Sequence, residues 1–424
     1  MSFPKTVLPR MVEVRQKISS PRLDDPVAET RKELDRLGLS DKIKPGFRIA
    51  VTAGSRGIAH IAEILRTIVE EVKKAGGDPF IVPSMGSHGG STPEGQIAVL
   101  RALGITSETV GAPIHSSMEV EEVGRLRNGS PVYVDRKALE ADGIIVVGRV
   151  KPHTDFKDKI ESGLMKMMVI GLGKQKGAEM IHHYKREGYH ELLPEAARLI
   201  LAKAPIMLGL AIVENAHHET AIVKAIQPID IENEETALLE KAKALLARIP
   251  FREIDVLIVE EMGKEISGTG MDTNVTGRFW ISGEKDSLVP TITSIVVLDL
   301  SDETHGNAIG IGLADLTTQR LVSKIDYQST FVNSLTTCFP LTAKTPVFLP
   351  NDRDAITMAV QISGLSSPQE ARVVRIKNTQ ELDKIWISEN ILETIRTNAE
   401  LHDRLEITSE PREMQFDVLG NLAR

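Results

Sequence analysis

Five positions in this 424-residue chain combine a reactive side chain with a setting in which chemistry is available. Arg56 sits in Gly54-Ser55-Arg56-Gly57. Its guanidinium can hold a carboxylate or phosphate through two parallel hydrogen bonds. His88 lies in Ser84-Met85-Gly86-Ser87-His88-Gly89-Gly90, and His153 follows Lys151-Pro152. Imidazoles titrate near neutrality and can serve as general acid and general base. The glycines around His88 also let backbone approach a ligand closely. Lys166 interrupts the apolar run Leu164-Met165-Lys166-Met167-Met168-Val169. Such a lysine either extends its ammonium to solvent, the reading the pattern favours, or is a desolvated nucleophile. His182-His183 is an adjacent pair. Neighbouring helical side chains point about 100° apart, so one pair rarely gives two ligands to one ion. The plain alternatives are a loop-capping arginine and polar surface histidines, and His217-His218 reads as a surface loop.

The elements that must position these residues alternate between strand and helix. A charged helix is expected over 27–38, ended by Gly38, then a turn at Pro45-Gly46. Phe47–Ala53 reads as a strand, followed by a helix with apolar residues at Ile58, Ile61, Leu65, Ile68 and Val72. A second strand covers Phe80–Pro83. The next helix opens at Ser91-Thr92-Pro93-Glu94, with Ser91 as N-cap and Glu94 closing a capping box. Asn128-Gly129 marks a hairpin. Gly143–Arg149 is a buried strand leading into Val150-Lys151-Pro152-His153. Further strands are expected at 206–213 and 255–260, with helices at 174–186 and 233–248. This alternation argues for a parallel α/β sheet. Arg56, His88 and His153 then each fall just past the carboxyl end of a strand, the edge where open α/β sheets bind ligands. A boundary near Pro250 divides the chain into a Rossmann-like N-terminal domain, 1–250, and a smaller α/β domain, 251–424. The second half has strands at 294–299 and 372–377 and helices at 316–325 and 389–399. The expected site lies in the cleft between the domains.

Composition excludes other classes. With 51 basic and 59 acidic side chains the net charge is −8, unlike the basic face that general nucleic-acid binding needs. Aromatics are 4%, too few for a base-stacking platform. The single cysteine, Cys338, can form neither an internal disulfide nor a thiolate-rich metal site. No signal core precedes the first domain, and no window holds 18 uncharged apolar residues. A cytoplasmic protein without a membrane anchor is expected. The spacings of a dinucleotide loop, a phosphate loop and a hydrolase serine elbow are all absent.

The motifs TAGSRG (52–57), MGSHGG (85–90), VKPHTDF (150–156), ESGLMKMMVIGLGK (161–174) and AEMIHHY (178–184) together resemble the nickel-pincer-dependent lactate racemase family. The resemblance covers residues 48–185 well and the second half in outline. It implies a nickel pyridinium-3-thioamide-5-thiocarboxylic acid mononucleotide, loaded by its biosynthetic enzymes. By position, Lys166 would form a thioamide with the cofactor, Ser55 would lie against it, and His182 would ligate nickel. His88 and His153 would flank a 2-hydroxy acid, each moving the hydroxyl proton of one configuration while hydride goes to and from the cofactor. Arg56 would hold the substrate carboxylate. The implied activity is racemisation or epimerisation of a 2-hydroxy acid.

There are departures. Ala53-Gly54 stands where the family has an acidic residue before the arginine, and IESGLMK replaces a glycine-rich run. In the loop GTGMDTNVTGR (268–278) the family's tyrosine–glutamine pair and lysine are not evident. Asp272, Asn274 and Arg278 stand there instead, and Asn274 and Arg278 are read as substrate-binding. The substrate's identity, covalent or non-covalent attachment at Lys166, the choice of His182 or His183, and the oligomeric state stay open. Two other readings remain: a divalent-metal hydrolase or lyase using His88, His153 and His182 as ligands, and a non-enzymatic binder of an anionic metabolite.

Overall fold

The computed structural model describes residues 6–279, 286 and 289–423. The chain forms two compact units. One is Ser20–Leu246; the other joins the stretch ending at Ser19 to Ala247–Arg424. The division at Pro250 therefore needs a correction at the amino end. The first strand, β1 (Met11–Gln16), pairs with strands of the second unit.

The Ser20–Leu246 unit is built on a five-stranded sheet. Its strands are β2 (Arg48–Ala53), β3 (Asp78–Pro83), β6 (Gly143–Arg149), β7 (Ile206–Glu214) and β8 (Thr220–Ile226). The spatial order is β3-β2-β6-β7-β8, parallel except for β8. Between β3 and β6 the chain makes the hairpin β4 (Val120–Arg125) and β5 (Pro131–Asp135). Gly129 supplies the positive φ, +83°, that its turn needs. Alternate residues of the parallel strands feed different layers, as a pleated strand requires. Ile49, Val51, Ile145, Val147, Leu208 and Leu210 pack with helices Pro26–Arg36 and Ile61–Lys74. Ala50, Ile144, Val146, Ala211 and Val213 pack on the other face with helices Leu193–Lys203 and Ile231–Leu245. Burial on both faces explains why these strands read as continuous apolar runs.

The second unit has an eight-stranded mixed sheet. It contains β1, β9 (Glu253–Val259), β10 (Thr291–Val297), β11 (Leu316–Thr318), β12 (Val347–Leu349), β13 (Val373–Ile376), β14 (Lys384–Ser388) and β15 (Leu405–Ile407). The order is β12-β11-β10-β9-β13-β14-β1-β15. From β12 to β13 the strands are parallel; β14, β1 and β15 run antiparallel to their neighbours. Helix Asp352–Ile362 covers it through Ala355, Ile356, Ala359 and Val360.

Local expectations differ in three places. The helix expected over 316–325 begins as β11 and turns helical only at Gln319–Ser323, with Thr318 as N-cap. The helix expected over 389–399 starts as a 3-10 turn, Glu389–Ile391, continues as helix Leu392–Thr397, and breaks at Asn398. Thr92, not Ser91, caps helix Pro93–Ala102, accepting from Gly95 N at 3.1 Å. Ser91 is left-handed, φ +56°, and so cannot present its hydroxyl as an N-cap.

Candidate active site

Strands β3, β2 and β6 are neighbours and parallel, so their carboxyl ends share one edge of the sheet. Arg56 lies three residues beyond β2, His88 five beyond β3 and His153 four beyond β6. A one-turn helix, Leu164–Lys166, followed by a π-turn at Met167–Gly171, carries Lys166 to that edge. The glycine loops pack directly on this turn. A Cβ on Gly54 would meet Met167 Cε at 3.0 Å, and one on Gly86 would meet Ile170 Cγ2 at 3.1 Å and the Ile170 carbonyl at 3.3 Å. Gly86, at φ +60°, is doubly constrained.

At the centre, Lys166 Nζ lies 2.5 Å from His153 Nε2. Asp155 donates its backbone N–H to His153 Nδ1 at 3.0 Å. A neutral imidazole accepting at Nδ1 carries its proton on Nε2, on the side that meets the lysine nitrogen. Burial pushes Lys166 down to about 8; Asp155 opposes that shift and Arg56 adds to it. His153 is held well below 6.5, first by burial and then by the charges of Lys166 and Lys157. The snorkelling reading of Lys166 therefore gives way to the desolvated amine.

His182 is half-buried, and its ring centroid lies 5.8 Å from that of Tyr189. Tyr189 in turn stacks on Phe156 at 4.5 Å, and both rings lie against His153. Burial, then the Lys166 charge, lowers His182 to about 4, which keeps its imidazole neutral. A neutral ring is the form that ligates metals. His183 is exposed and turned to Tyr184. Of the pair, His182 is the one that faces the cluster. His217 and His218 occupy the turn between β7 and β8.

Arg56 is solvent-accessible, with its pKa lowered by the protein around it and by Arg149, and raised by Asp155. Its loop is strapped down. Arg149 pairs with Glu214 and donates to the Gly57 carbonyl at 3.0 Å. Glu214 takes the Ala59 N–H at 2.8 Å. Ser55 stands half-exposed beside Arg56, and His88 is exposed in its loop. Charge couples Arg56 to both His153 and Lys166. Among the described residues no three or more His, Cys, Asp or Glu side chains gather as a metal-holding group, so the three-histidine hydrolase arrangement is not assembled.

Several supporting residues lay outside the sequence reading. Asp155 and Phe156 belong to the VKPHTDF motif but had no role assigned. Glu161 is buried and takes the His153 N–H at 2.7 Å, with Lys157 and Lys243 as its cations. Glu235 accepts from Leu164 N at 2.5 Å and Met165 N at 3.1 Å, capping the Lys166 turn. Burial raises its carboxyl to about 8. Its signal was a glutamate in phase with the buried Ile231, Leu238, Leu239 and Ala242 of its helix.

In the second unit, Asn274 and Arg278 are built in. Asn274 is 7% exposed and donates to Asp272 Oδ1 at 2.8 Å. Arg278 is 7% exposed; it pairs with Asp315 at 2.6 Å and donates to the carbonyls of Leu313 and Ile292 at 3.0 Å. These contacts of the guanidinium are all within its own unit.

Residues 14–187 match the model of the lactate racemase N-terminal domain. That span contains Arg56, His88, His153, Lys166 and His182. No curated protein matches the chain. The lactate racemase apoprotein from Thermoanaerobacterium thermosaccharolyticum has a similar structure, with TM-score 0.55 and 13% identity, over 87% of this chain and 94% of that one. No helix among the described residues is long and apolar enough to cross a membrane. Residues 14–187 are thus similar to the lactate racemase N-terminal domain, and the fold is similar to that of the racemase apoprotein along most of the chain.

Proposed function

We propose that the protein racemises or epimerises a 2-hydroxy acid by reversible hydride transfer, using a nickel-pincer nucleotide held at the edge of the β3-β2-β6 strands. The observation that carries this reading is the contact of the Lys166 amine with His153 Nε2 at 2.5 Å, beside a His182 kept neutral. The donor set fits such a group. A lysine amine of lowered basicity would hold the group covalently, and one neutral imidazole would ligate a nickel that brings its own sulfurs. The single cysteine is then no obstacle. Bound there, the group supplies a hydride acceptor for the carbon that bears the hydroxyl.

The chain's own residues do the rest. Arg56 binds the substrate carboxylate, and Ser55 lies against the cofactor. His88 and His153 exchange the hydroxyl proton, one for each configuration. As placed, His153 presents a proton on Nε2, the form that protonates the alkoxide as the carbonyl is reduced. The reverse step needs a bare Nε2. Asp155 Oδ2 lies 3.8 Å from Nδ1 and can take the proton there after a small shift. Asp155 thus offers a partner to each tautomer. With Lys166 engaged by the cofactor, His153 Nε2 would be left for the substrate.

The test is mass and metal analysis of protein co-expressed with the cofactor's biosynthetic enzymes. One nickel per chain, and a mass increase lost in Lys166→Ala, is expected. Unmodified, nickel-free protein under those conditions would sink the reading.

A further inference from the structure

Lys174 is the one lysine buried to 0% exposure among the described residues, and the proposed chemistry makes no use of it. Its ammonium hydrogen-bonds to two acceptors and forms an ion pair with a third group. It donates to the Pro83 carbonyl at the end of β3, lies 3.2 Å from Gln96 Oε1, and pairs with Asp135 Oδ2 at 3.2 Å. Gln96 passes the connection on: its Nε2 donates to the carbonyls of Gly86, at 3.0 Å, and His88, at 3.4 Å. The loop it holds has left-handed glycines at 86, 89 and 90, with φ of +60°, +69° and +63°, and its own backbone bonds are mostly local, such as His88 N to the Met85 carbonyl at 3.1 Å. Lys174 also opens helix Lys174–His183, directly after the turn that bears Lys166. One side chain therefore joins the His88 loop to the segment that carries Lys166 and His182.

We propose that Lys174 is a positioning residue whose buried ammonium, acting through Gln96, fixes the His88 loop against the Lys166–His182 segment. The proposal rests on reading this edge as the active site. Burial without the partner would be costly for Asp135, so Lys174→Met alone risks unfolding. The informative variants are Lys174→Met/Asp135→Asn, which removes both charges, and Gln96→Leu, which leaves the Lys174–Asp135 pair intact.

The first measurement is amide hydrogen exchange on the full chain, which needs neither cofactor nor substrate. Exchange in residues 84–92 is expected to rise about tenfold or more in either variant, while helix Ile61–Lys74 exchanges as before. A folded variant whose 84–92 amides exchange at the native rate overturns the proposal. If the double variant does not fold, Gln96→Leu decides. The second measurement uses the loaded enzyme. Either variant should lower kcat by about tenfold or more with KM little changed, and adding His88→Ala should cost nothing further. Additive losses would show that Lys174 does not act through His88. If the native enzyme racemises no hydroxy acid, the functional reading fails, and the exchange experiment still judges Lys174.

Discussion

His153 and Lys166 are 13 positions apart in sequence and 2.5 Å apart in space, and the contact sets the reactivity of both. Modification of Lys166 by an acylating reagent should follow a titration with a midpoint of about 8. A midpoint at the ordinary lysine value would contradict the desolvated amine. Asp155→Asn keeps the backbone donor and removes the carboxylate that can receive the Nδ1 proton. Turnover of the loaded enzyme should then fall by about 10²-fold, the low end of general acid–base contributions, with substrate affinity nearly unchanged. An unaltered kcat would dismiss Asp155 from the proton path. His182 adds a stability signature. Its folded pKa of about 4 lies below the unfolded 6.5, so between those values the unfolded chain binds more protons. Stability should fall as pH drops from 6.5 to 4, and His182→Gln should flatten that slope. An equal slope in the variant, measured by denaturant unfolding, would contradict the burial of His182. The placement of Arg56, His88 and His153 just past strand ends was legible because each follows an apolar run with a loop signal. Tyr189 and Asp155 were not, since their importance comes from which rings and charges the fold brings against them.

The turn that carries Lys166 is only three residues long and gains little from helix propagation, so its cap matters. Glu235 supplies that cap from another helix, and Gly163 leaves the room. A Cβ at Gly163 would lie 2.7 Å from the Glu235 carboxyl carbon. Glu235→Leu should cost about 1–3 kcal/mol, because two buried N–H groups lose their acceptor. Glu235→Gln keeps an oxygen for them. Its effect should also depend on pH. The Glu235 carboxyl is raised from 4.5 to about 8, so the folded state holds the extra proton and stability declines as pH rises across that window. Chemical denaturation of Glu235→Gln should show a shallower decline from pH 5 to 8 than the native chain. A parallel pair of curves would mean the carboxyl is not desolvated. Elements were legible where periodicity was long, as in helix Ile61–Lys74 and the buried strand Gly143–Arg149. They were lost where three residues of strand run into a short helix at Leu316–Ser323, because tertiary pairing with β10 and β12 decides that choice.

At the scale of the molecule, the chain crosses between its units once at each side of Ser20–Leu246. Strand β1 is an inner strand of the eight-stranded sheet, between β14 and β15, with register pairs such as Val12↔Ile387 and Val14↔Ile407. Its pattern, Met-Val-Glu-Val-Arg-Gln, alternates apolar and polar, yet nothing local says which sheet it joins. That choice is made by partners more than 360 residues away, which is why a cut near Pro250 assigned it to the wrong unit. Met11, Val12 and Val14 are 2%, 0% and 0% exposed. Removing three buried apolar side chains together, at about 1.5–3 kcal/mol each, takes away stability comparable to that of a whole domain. A chain lacking residues 1–19 should therefore lose amide protection throughout β14 and β15. Strands β2, β3 and β6, whose sheet contains none of the deleted residues, should keep theirs. Hydrogen exchange on the shortened chain reads both units at once. Loss of protection confined to Ser20–Leu246 would reverse the assignment of β1. Protection intact in β14 would show that the eight-stranded sheet does not need its amino-terminal strand.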